Sequence, residues 1–379
     1  MVGINPLGIY IHIPFCIAKC RYCDFYSVGY NGSLAPQYID AVISQLSDFG
    51  KDGERREVDT VYFGGGTPSL LEERDVARVV DAVSRQMDIS KNCEITLELN
   101  PETATPQKLR NLKQAGINRL SIGVQTTDEK TLGVLGRRHS AGQAVRAIET
   151  ADQAGFENIS ADIMLALPDE TENTLAKTLD DLTSLPLGHL SAYMLKIADG
   201  TPFGKEMPDG IPDDTEQAEL YEYCCEYLTE KGFGQYEISN FARPGLESQH
   251  NLKYWNCDDY LGLGAAAHSN IGAKRYSFPR DIGKFIETYG KKEKSGGWEA
   301  ALDFEGDVSA EDYIMLRLRT TEGLDLEELY SKYKYKLGIQ KQALIERYQR
   351  GGFLREEGNV IALTVKGMLV SNAIIVDLI

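Results

Sequence analysis

Two stretches of the chain repeat the same junction between a helix and a strand. Residues 114–121 (QAGINRLS) and residues 153–160 (QAGFENIS) share their first three letters and their last, and residues 231–239 (KGFGQYEIS) form a weaker copy. Each stretch reads as the end of a helix, a glycine just after the C-cap and a strand. The first two copies lie about 40 residues apart, which is typical of stacked βα units.

Six such units can be placed in the first half of the chain. Their predicted strands begin near residues 8, 58, 94, 118, 158 and 189. Right-handed crossovers make these strands a parallel sheet with helices outside, so the sequence predicts an α/β fold. Periodicity leaves open whether the sheet closes with eight units or stays open with six. In either arrangement a functional site gathers at the C-terminal ends of the strands.

The rest of the chain differs in character from the βα units. We predict three domains: residues 1–240, a loop-rich aromatic connection over residues 241–299 that contains a linker at Ser295, Gly296 and Gly297, and residues 300–379. The last domain reads as three helices and a hairpin, which resembles a winged helix. From residue 301 on it holds 13 acidic and 10 basic residues, and the chain's net charge is −17. Both values disfavour nucleic-acid binding, so we favour a docking or lid role.

Three cysteines form a compact C-x3-C-x2-C motif close to the N-terminus. Cys16, Cys20 and Cys23 follow an apolar run, residues 9–15, that reads as a buried strand. Thiolates hold iron–sulfur clusters, and three of them leave one iron of a four-iron cluster open. The rival interpretation is a zinc site completed by His12, four residues before Cys16. Free thiols suit a reducing cytoplasm, and no apolar run is long enough to span a membrane.

A glycine-rich turn, GGGTP at residues 64–68, follows the second predicted strand. Glycines at such a position let backbone groups approach a ligand closely, although a tight turn alone also requires them. We predict that Ser69 and Glu72 then form a capping box for the following helix.

The segment Y-I-H-I-P-F-C-x3-C-x2-C-D-F at residues 10–25, together with this turn, resembles the radical S-adenosylmethionine (SAM) enzymes. Within them it resembles the family of oxygen-independent coproporphyrinogen III oxidase and HemW. The resemblance implies an open six-unit partial (β/α)6 barrel and a [4Fe–4S] cluster whose open iron takes the amino and carboxylate groups of SAM. In that superfamily the reduced cluster cleaves SAM to methionine and a 5′-deoxyadenosyl radical. The resemblance assigns SAM contacts to Tyr10, Tyr22, Gly65, Gly66, Thr67, Glu98, Gln125, Arg137 and Asp162.

A second motif, H-N-x-x-Y-W at residues 250–255, resembles the heme-binding motif of HemW proteins. A histidine can ligate heme iron, and aromatic neighbours can stack on a porphyrin face. The resemblance therefore implies heme binding at His250, whereas His268 is the weaker candidate. On chemistry alone, the segment also fits a loop whose aromatic residues pack on the barrel.

The two branches of the family imply different activities. In the oxidases that the chain resembles, the motif is C-x3-C-x2-C-x-C and follows a long N-terminal extension. In this chain, position 25 is Phe25 instead of a cysteine, and Cys16 is close to the start. We therefore favour a heme chaperone that binds a [4Fe–4S] cluster, SAM and heme, and delivers heme to respiratory heme proteins at the membrane. The alternatives are an oxidase that decarboxylates the propionates of coproporphyrinogen III and a zinc-binding interaction protein.

Overall fold

The structure is a computed structural model and describes residues 5–51, 55–290 and 298–379. The linker predicted at Ser295, Gly296 and Gly297 lies outside the described residues. Within those ranges no helix is long and apolar enough to cross a membrane.

The described ranges contain seventeen strands. They are β1 (Leu7–Ile13), β2 (Phe15–Cys16), β3 (Val28–Gly29), β4 (Glu57–Gly65), β5 (Asp88–Leu99), β6 (Arg119–Gln125), β7 (Asn158–Leu165), β8 (His189–Met194), β9 (Gly234–Glu237), β10 (Asn240–Ala242), β11 (Tyr260–Leu263), β12 (His268–Ile271), β13 (Lys274–Ser277), β14 (Asp303–Asp307), β15 (Leu324–Asp325), β16 (Leu354–Glu357) and β17 (Val360–Leu363).

The same ranges contain fifteen α-helices. They are α1 (Leu34–Lys51), α2 (Glu73–Gln86), α3 (Pro106–Gln114), α4 (Glu129–Leu135), α5 (Ala141–Gln153), α6 (Glu172–Thr183), α7 (Pro202–Lys205), α8 (Asp214–Glu230), α9 (Gln249–Trp255), α10 (Ile282–Tyr289), α11 (Ala310–Arg317), α12 (Leu326–Tyr333), α13 (Ile339–Arg350), α14 (Val365–Leu369) and α15 (Ser371–Leu378).

The six predicted βα strands are β1 and β4 to β8, and they lie side by side in chain order as parallel neighbours. The strand order is linear, with β14 at one edge and β9 at the other among the described strands. This mixed α/β sheet agrees with the expected partial barrel. Apolar side chains of β1 are almost completely buried because the strand lies inside the sheet and both of its faces are covered.

The repeated junction forms as predicted. Gly116, Gly155 and Gly232 follow the ends of α3, α5 and α8 and have φ values of +101°, +87° and +84°. Glycine adopts this left-handed conformation at little cost, so each helix stops and the chain turns into the next strand.

Two local predictions around β5 are wrong. β5 begins at Asp88 rather than near residue 94, and its pairing with β4 shifts register between Val58 and Thr60. Ser69 does not cap α2, because it lies in a 3-10 turn, Pro68–Leu70, where its hydroxyl accepts a hydrogen bond from Thr103 at 2.8 Å. The helix begins four residues later, at Glu73.

The predicted loop-rich connection is largely ordered. β11 pairs in parallel with β1 and is the seventh parallel strand of the described sheet, while β12, β13 and β14 extend it in antiparallel fashion. Three of these strands have only four residues, too few to show a periodic pattern. The domain division at residues 240 and 299 stays a prediction, and β10 runs across the first boundary.

The C-terminal region contains the predicted helices α11, α12 and α13 and the predicted hairpin of β16 and β17. β15 adds a third strand to this small sheet. The apolar stretch at residues 368–376 contributes the buried side chains of Met368, Ile374 and Ile375 to the core.

Candidate functional site

The loop that carries the three cysteines is held firmly by its own backbone. Cys16 ends β2, and Cys20 and Cys23 lie in the following loop; all three thiols are free and partly buried. Arg21 N–H donates to the carbonyl of Leu135 at 3.1 Å, and Arg21 C=O accepts from Phe203 N–H at 3.0 Å. The loop is therefore fastened between the end of α4 and the start of α7.

A cavity of about 420 Å³ opens beside this loop, at the C-terminal ends of the parallel strands. Eleven of the predicted site residues line it: Cys16, Cys20, Tyr22, Cys23, Gly65, Gly66, Thr67, Glu98, Gln125, Arg137 and Asp162. Tyr10 and His250 do not line it. The structure thus brings most of the predicted site residues together around one cavity.

The glycine turn packs against the strands that lead into the cysteine loop. Gly66 N–H donates to Ile13 C=O and Thr67 N–H donates to Phe15 C=O, both at 2.8 Å. A Cβ on Gly66 would collide with these carbonyls, and Gly65 has φ +113°, so both positions require glycine. The Thr67 hydroxyl donates to Cys16 Sγ at 3.7 Å, which links the turn to the first cysteine.

Arg137 brings a guanidinium to the second cysteine. Its Nη1 donates to Cys20 Sγ at 3.5 Å, and its Nη2 donates to Gly123 C=O at 2.7 Å and Asn100 Oδ1 at 3.0 Å. The Nε is buried without a hydrogen-bond partner among the described residues. A buried guanidinium with a donor to spare is suited to a carboxylate ligand.

Two half-buried acids face the cavity from β5 and β7, the strands on either side of β6. Glu98 accepts from Gly65 N–H at 2.9 Å and from the Tyr62 hydroxyl at 3.0 Å, and burial together with the charge of Asp162 raises the pKa of its carboxyl to about 7. Asp162 accepts from Ser121 at 2.9 Å and Ser191 at 2.8 Å, and burial raises its pKa as well. Both acids can accept hydrogen bonds from hydroxyl or ammonium groups of a ligand.

Gln125 ends β6 in a left-handed conformation, with φ +70°. The pairing of β6 with β7 shifts between Gly123 and Gln125, so the strand is distorted where it reaches the cavity. A non-glycine residue in this region stores backbone strain, and such strain concentrates at functional sites.

Tyr10 lies in a second cavity, of about 330 Å³, whose walls also include His12, Tyr26, Tyr254 and His268. His12 Nδ1 hydrogen-bonds to the Tyr10 hydroxyl at 3.1 Å and His12 Nε2 to Tyr26 C=O at 3.0 Å. Both ring nitrogens are engaged away from the thiols. Among the described residues no set of three or more His, Cys, Asp or Glu side chains is arranged to hold a single metal ion. The zinc alternative with His12 as fourth ligand stays a prediction.

His250 is enclosed between strands and its own helix, with 1% of its surface exposed. Its Nδ1 hydrogen-bonds to the Thr60 hydroxyl at 2.8 Å and its Nε2 to the Tyr254 hydroxyl at 2.9 Å. Burial lowers the pKa of the imidazole to about 3, and the ring stacks on Tyr62 and Tyr10. The predicted iron ligation by His250 stays a prediction, and in this conformation the ring reaches neither cavity.

The sequence analysis missed several polar residues of the first cavity, namely Tyr62, Asn100, Arg119, Ser121, Gly123 and Ser191. The available signal was strand alternation, because residues 119, 121, 123 and 125 point to the same face of β6. Arg119 is the most surprising of them, since it is buried and its Nε lies 3.8 Å from Glu94 Oε2 without a hydrogen-bond partner among the described groups.

Comparison with known proteins agrees with this geometry. The family model described as "Radical SAM superfamily" matches residues 10–182, and the one described as "HemN C-terminal domain" matches residues 306–370. "Heme chaperone HemW" of Bacillus subtilis is 33% identical over 96% of this chain and 97% of its own. "Heme chaperone HemW" of Escherichia coli is 34% identical over 99% of this chain and 98% of its own.

A solved structure shares the fold. The radical SAM enzyme coproporphyrinogen III oxidase (HemN) from Escherichia coli superposes with a TM-score of 0.84 at 22% identity, covering 99% of this chain and 90% of its own. At 22% identity this superposition shows a shared fold alone. The family is shown by the relatives that match over the full length of the chain. The chain therefore belongs to the radical SAM superfamily and, within it, to the family of the heme chaperone HemW.

Proposed function

We propose that this protein is a heme chaperone that carries a [4Fe–4S] cluster and SAM in the cavity of about 420 Å³. Membership of the radical SAM superfamily implies both cofactors, and the relatives that match over full length are named as heme chaperones. The observation that carries the proposal is that Cys16, Cys20 and Cys23, the glycine turn and Arg137 all line the same cavity. These donor types fit a cluster with one open iron and an amino-acid ligand.

The residues that would hold the two cofactors are distinct. The three thiols would be the protein ligands of the cluster, Arg137 would pair with a carboxylate, and the glycine turn would offer backbone groups to an amino group. When reduced, such a cluster would supply one electron to SAM. Glu98 would accept hydrogen bonds from ligand hydroxyls.

Heme is the proposed cargo, and respiratory heme proteins at the membrane are the proposed acceptors. We place the protein in the cytoplasm because free iron-binding thiols require a reducing compartment. We assign the cluster and SAM to residues 1–240, heme to the connection over residues 241–299 and partner contact to residues 300–379.

The experiment compares heme binding with oxidase activity in one anaerobic preparation. Reconstituted protein is assayed for iron, sulfide and hemin binding, and separately incubated with SAM, reductant and coproporphyrinogen III. We expect about four irons per chain, hemin binding and no protoporphyrinogen IX. Cys20→Ser should lose the cluster, whereas the matched control Cys257→Ser, away from the cavity, should keep it.

Two results contradict this proposal. Formation of protoporphyrinogen IX with methionine and 5′-deoxyadenosine identifies an oxidase. Wild-type protein that binds no hemin is not a heme chaperone.

A further inference from the structure

The second cavity, of about 330 Å³, has no assigned ligand, and its lining differs from that of the first. Its walls include the aromatic side chains of Tyr10, Phe25, Tyr26 and Tyr254, and its polar groups include His268 and Arg280. We propose that this tyrosine-lined cavity is the heme site and that His268, not His250, ligates the iron. This inference rests on the proposed heme-binding function and names its site.

His268 is distinguished by what its two ring nitrogens do. Its side chain is 48% exposed, its Nδ1 lies 3.1 Å from Glu305 Oε2, and its Nε2 has no hydrogen-bond partner among the described residues. A carboxylate on one nitrogen fixes the tautomer and directs the lone pair of the other outward, which is the usual arrangement of a metal-ligating histidine.

The other four histidines lack this combination. His12, His189 and His250 each have both ring nitrogens hydrogen-bonded inside the protein. His139 is 3% exposed and its Nε2 is bonded to Val124 C=O. Only His268 can take an iron at its surface without breaking a hydrogen bond within the described chain.

The cavity walls suit a flat aromatic ligand. Phe25 leaves 62% of its surface exposed although it belongs to the cysteine loop, and it borders both cavities. Tyr10 and Tyr26 line the same cavity as His268, and their ring centroids lie 6.0 Å and 6.3 Å from that of His12. A macrocycle placed there buries apolar area on these rings and keeps one edge in water.

Arg280 provides the charge that the propionates of heme require. It is exposed, lines the cavity, and makes no ion pair within the described residues, in a chain whose net charge is −17. A guanidinium pairs with a carboxylate through two parallel hydrogen bonds. It therefore orients the ligand edge against an otherwise acidic background.

His250 acquires a different role in this arrangement. Its Nε2 hydrogen-bonds to the Tyr254 hydroxyl at 2.9 Å, and Tyr254 is a wall of the cavity. His250 is then a positioning residue that acts through Tyr254. Its replacement changes the shape of the site but leaves the iron ligand in place.

The test is a hemin titration of the untagged full-length protein, followed by absorbance, magnetic circular dichroism and electron paramagnetic resonance. We expect His268→Ala to bind hemin about tenfold or more weakly, to lose the histidine-ligated signature, and to regain it with added imidazole. His250→Phe, the matched histidine control, should keep the signature. Metal-free protoporphyrin IX should bind His268→Ala as it binds wild type but should bind Arg280→Gln more weakly, with Arg350→Gln on α13 unchanged.

The possible results distinguish failure of the His268 inference from failure of the chaperone proposal. Hemin spectra that are unchanged in His268→Ala, or a signature lost only in His250→Phe, overturn this inference and leave the chaperone proposal standing. Absence of hemin binding by wild type overturns both.

Discussion

Single carboxyl groups determine how this protein responds to pH. Glu237 at the end of β9 is fully buried and accepts from Ser239 N–H and the Asn240 side chain, yet burial raises its pKa to about 7. Between its ordinary pKa of 4.5 and that value, the folded chain keeps a proton that the unfolded chain has lost. The free energy of unfolding therefore falls as pH rises through this window.

Replacing Glu237 with glutamine should remove its share of that pH dependence. A shift of this size corresponds to about 3 kcal/mol at most, so the loss of stability between pH 4.5 and 8 should be smaller by up to that amount in Glu237→Gln. Denaturant unfolding of the apoprotein at several pH values measures it. The exposed Glu157→Gln is the control, and equal pH dependence in Glu237→Gln and wild type would refute the assignment.

At the scale of the element, the sequence predicted helix ends, which depend on neighbouring residues. It missed a strand that forms by pairing with residues far away in the chain. The helix ends at Gly116 and Gly155 were predictable because a glycine after a C-cap is a local signal. β11 was not, because it is four residues long and becomes a strand by pairing with β1, about 250 residues away in the chain.

The candidate site divides in the same way. Cysteine spacing and strand ends located the first cavity, since parallel strands end on one side of the sheet. The burial of His250 depends on hydroxyls of Thr60 and Tyr254 that meet only in the folded chain. A sequence motif specifies residue types. The orientation of a side-chain ring such as that of His250 depends on the residues that pack around it in the folded chain.

Gly262 in β11 should tolerate no side chain. Its N–H donates to the Ser269 hydroxyl, and a Cβ there would collide with the backbone carbonyl of His268. We expect Gly262→Ala to lower the free energy of unfolding by about 1–3 kcal/mol, because the β11–β12 pair must separate. Thermal or denaturant unfolding measures the change.

Gly133 within α4 is the matched control, because a Cβ there meets nothing within 4 Å. Gly133→Ala should leave stability unchanged or raise it by up to about 1 kcal/mol. Equal stability of the two variants would show that β11 and β12 are not packed closely.

At the scale of the whole molecule, the C-terminal region is joined to the edge of the large sheet. Ile238 N–H donates to Arg319 C=O at 2.9 Å, and Thr321 N–H donates to Tyr236 C=O at 3.0 Å. Arg317 adds side-chain hydrogen bonds to Asn256, after α9, and to Glu322. The small C-terminal module thus contacts both β9 and the helix that carries His250.

Arg317→Ala should loosen this junction. Arg317 is 8% exposed, and its guanidinium donates to Gly323 C=O, Asn256 and Glu322. Truncation leaves the carbonyl of the buried Gly323 without this donor and should cost about 1–3 kcal/mol. Limited proteolysis should then cut the region after residue 300 faster than in wild type. Arg350 is an exposed residue of α13, and Arg350→Ala should be cut at the wild-type rate. Equal rates for Arg317→Ala and Arg350→Ala would show that other contacts hold the C-terminal region in place.

The two backbone hydrogen bonds of Arg21 affect how the cysteine-bearing loop behaves when the proposed cluster is lost. They fasten the cysteine-bearing loop to Leu135 and Phe203 through peptide groups rather than thiols. We therefore expect the loop to keep its position when oxygen or chelators remove the proposed cluster. Fresh iron and sulfide should then restore the cluster without refolding of the polypeptide.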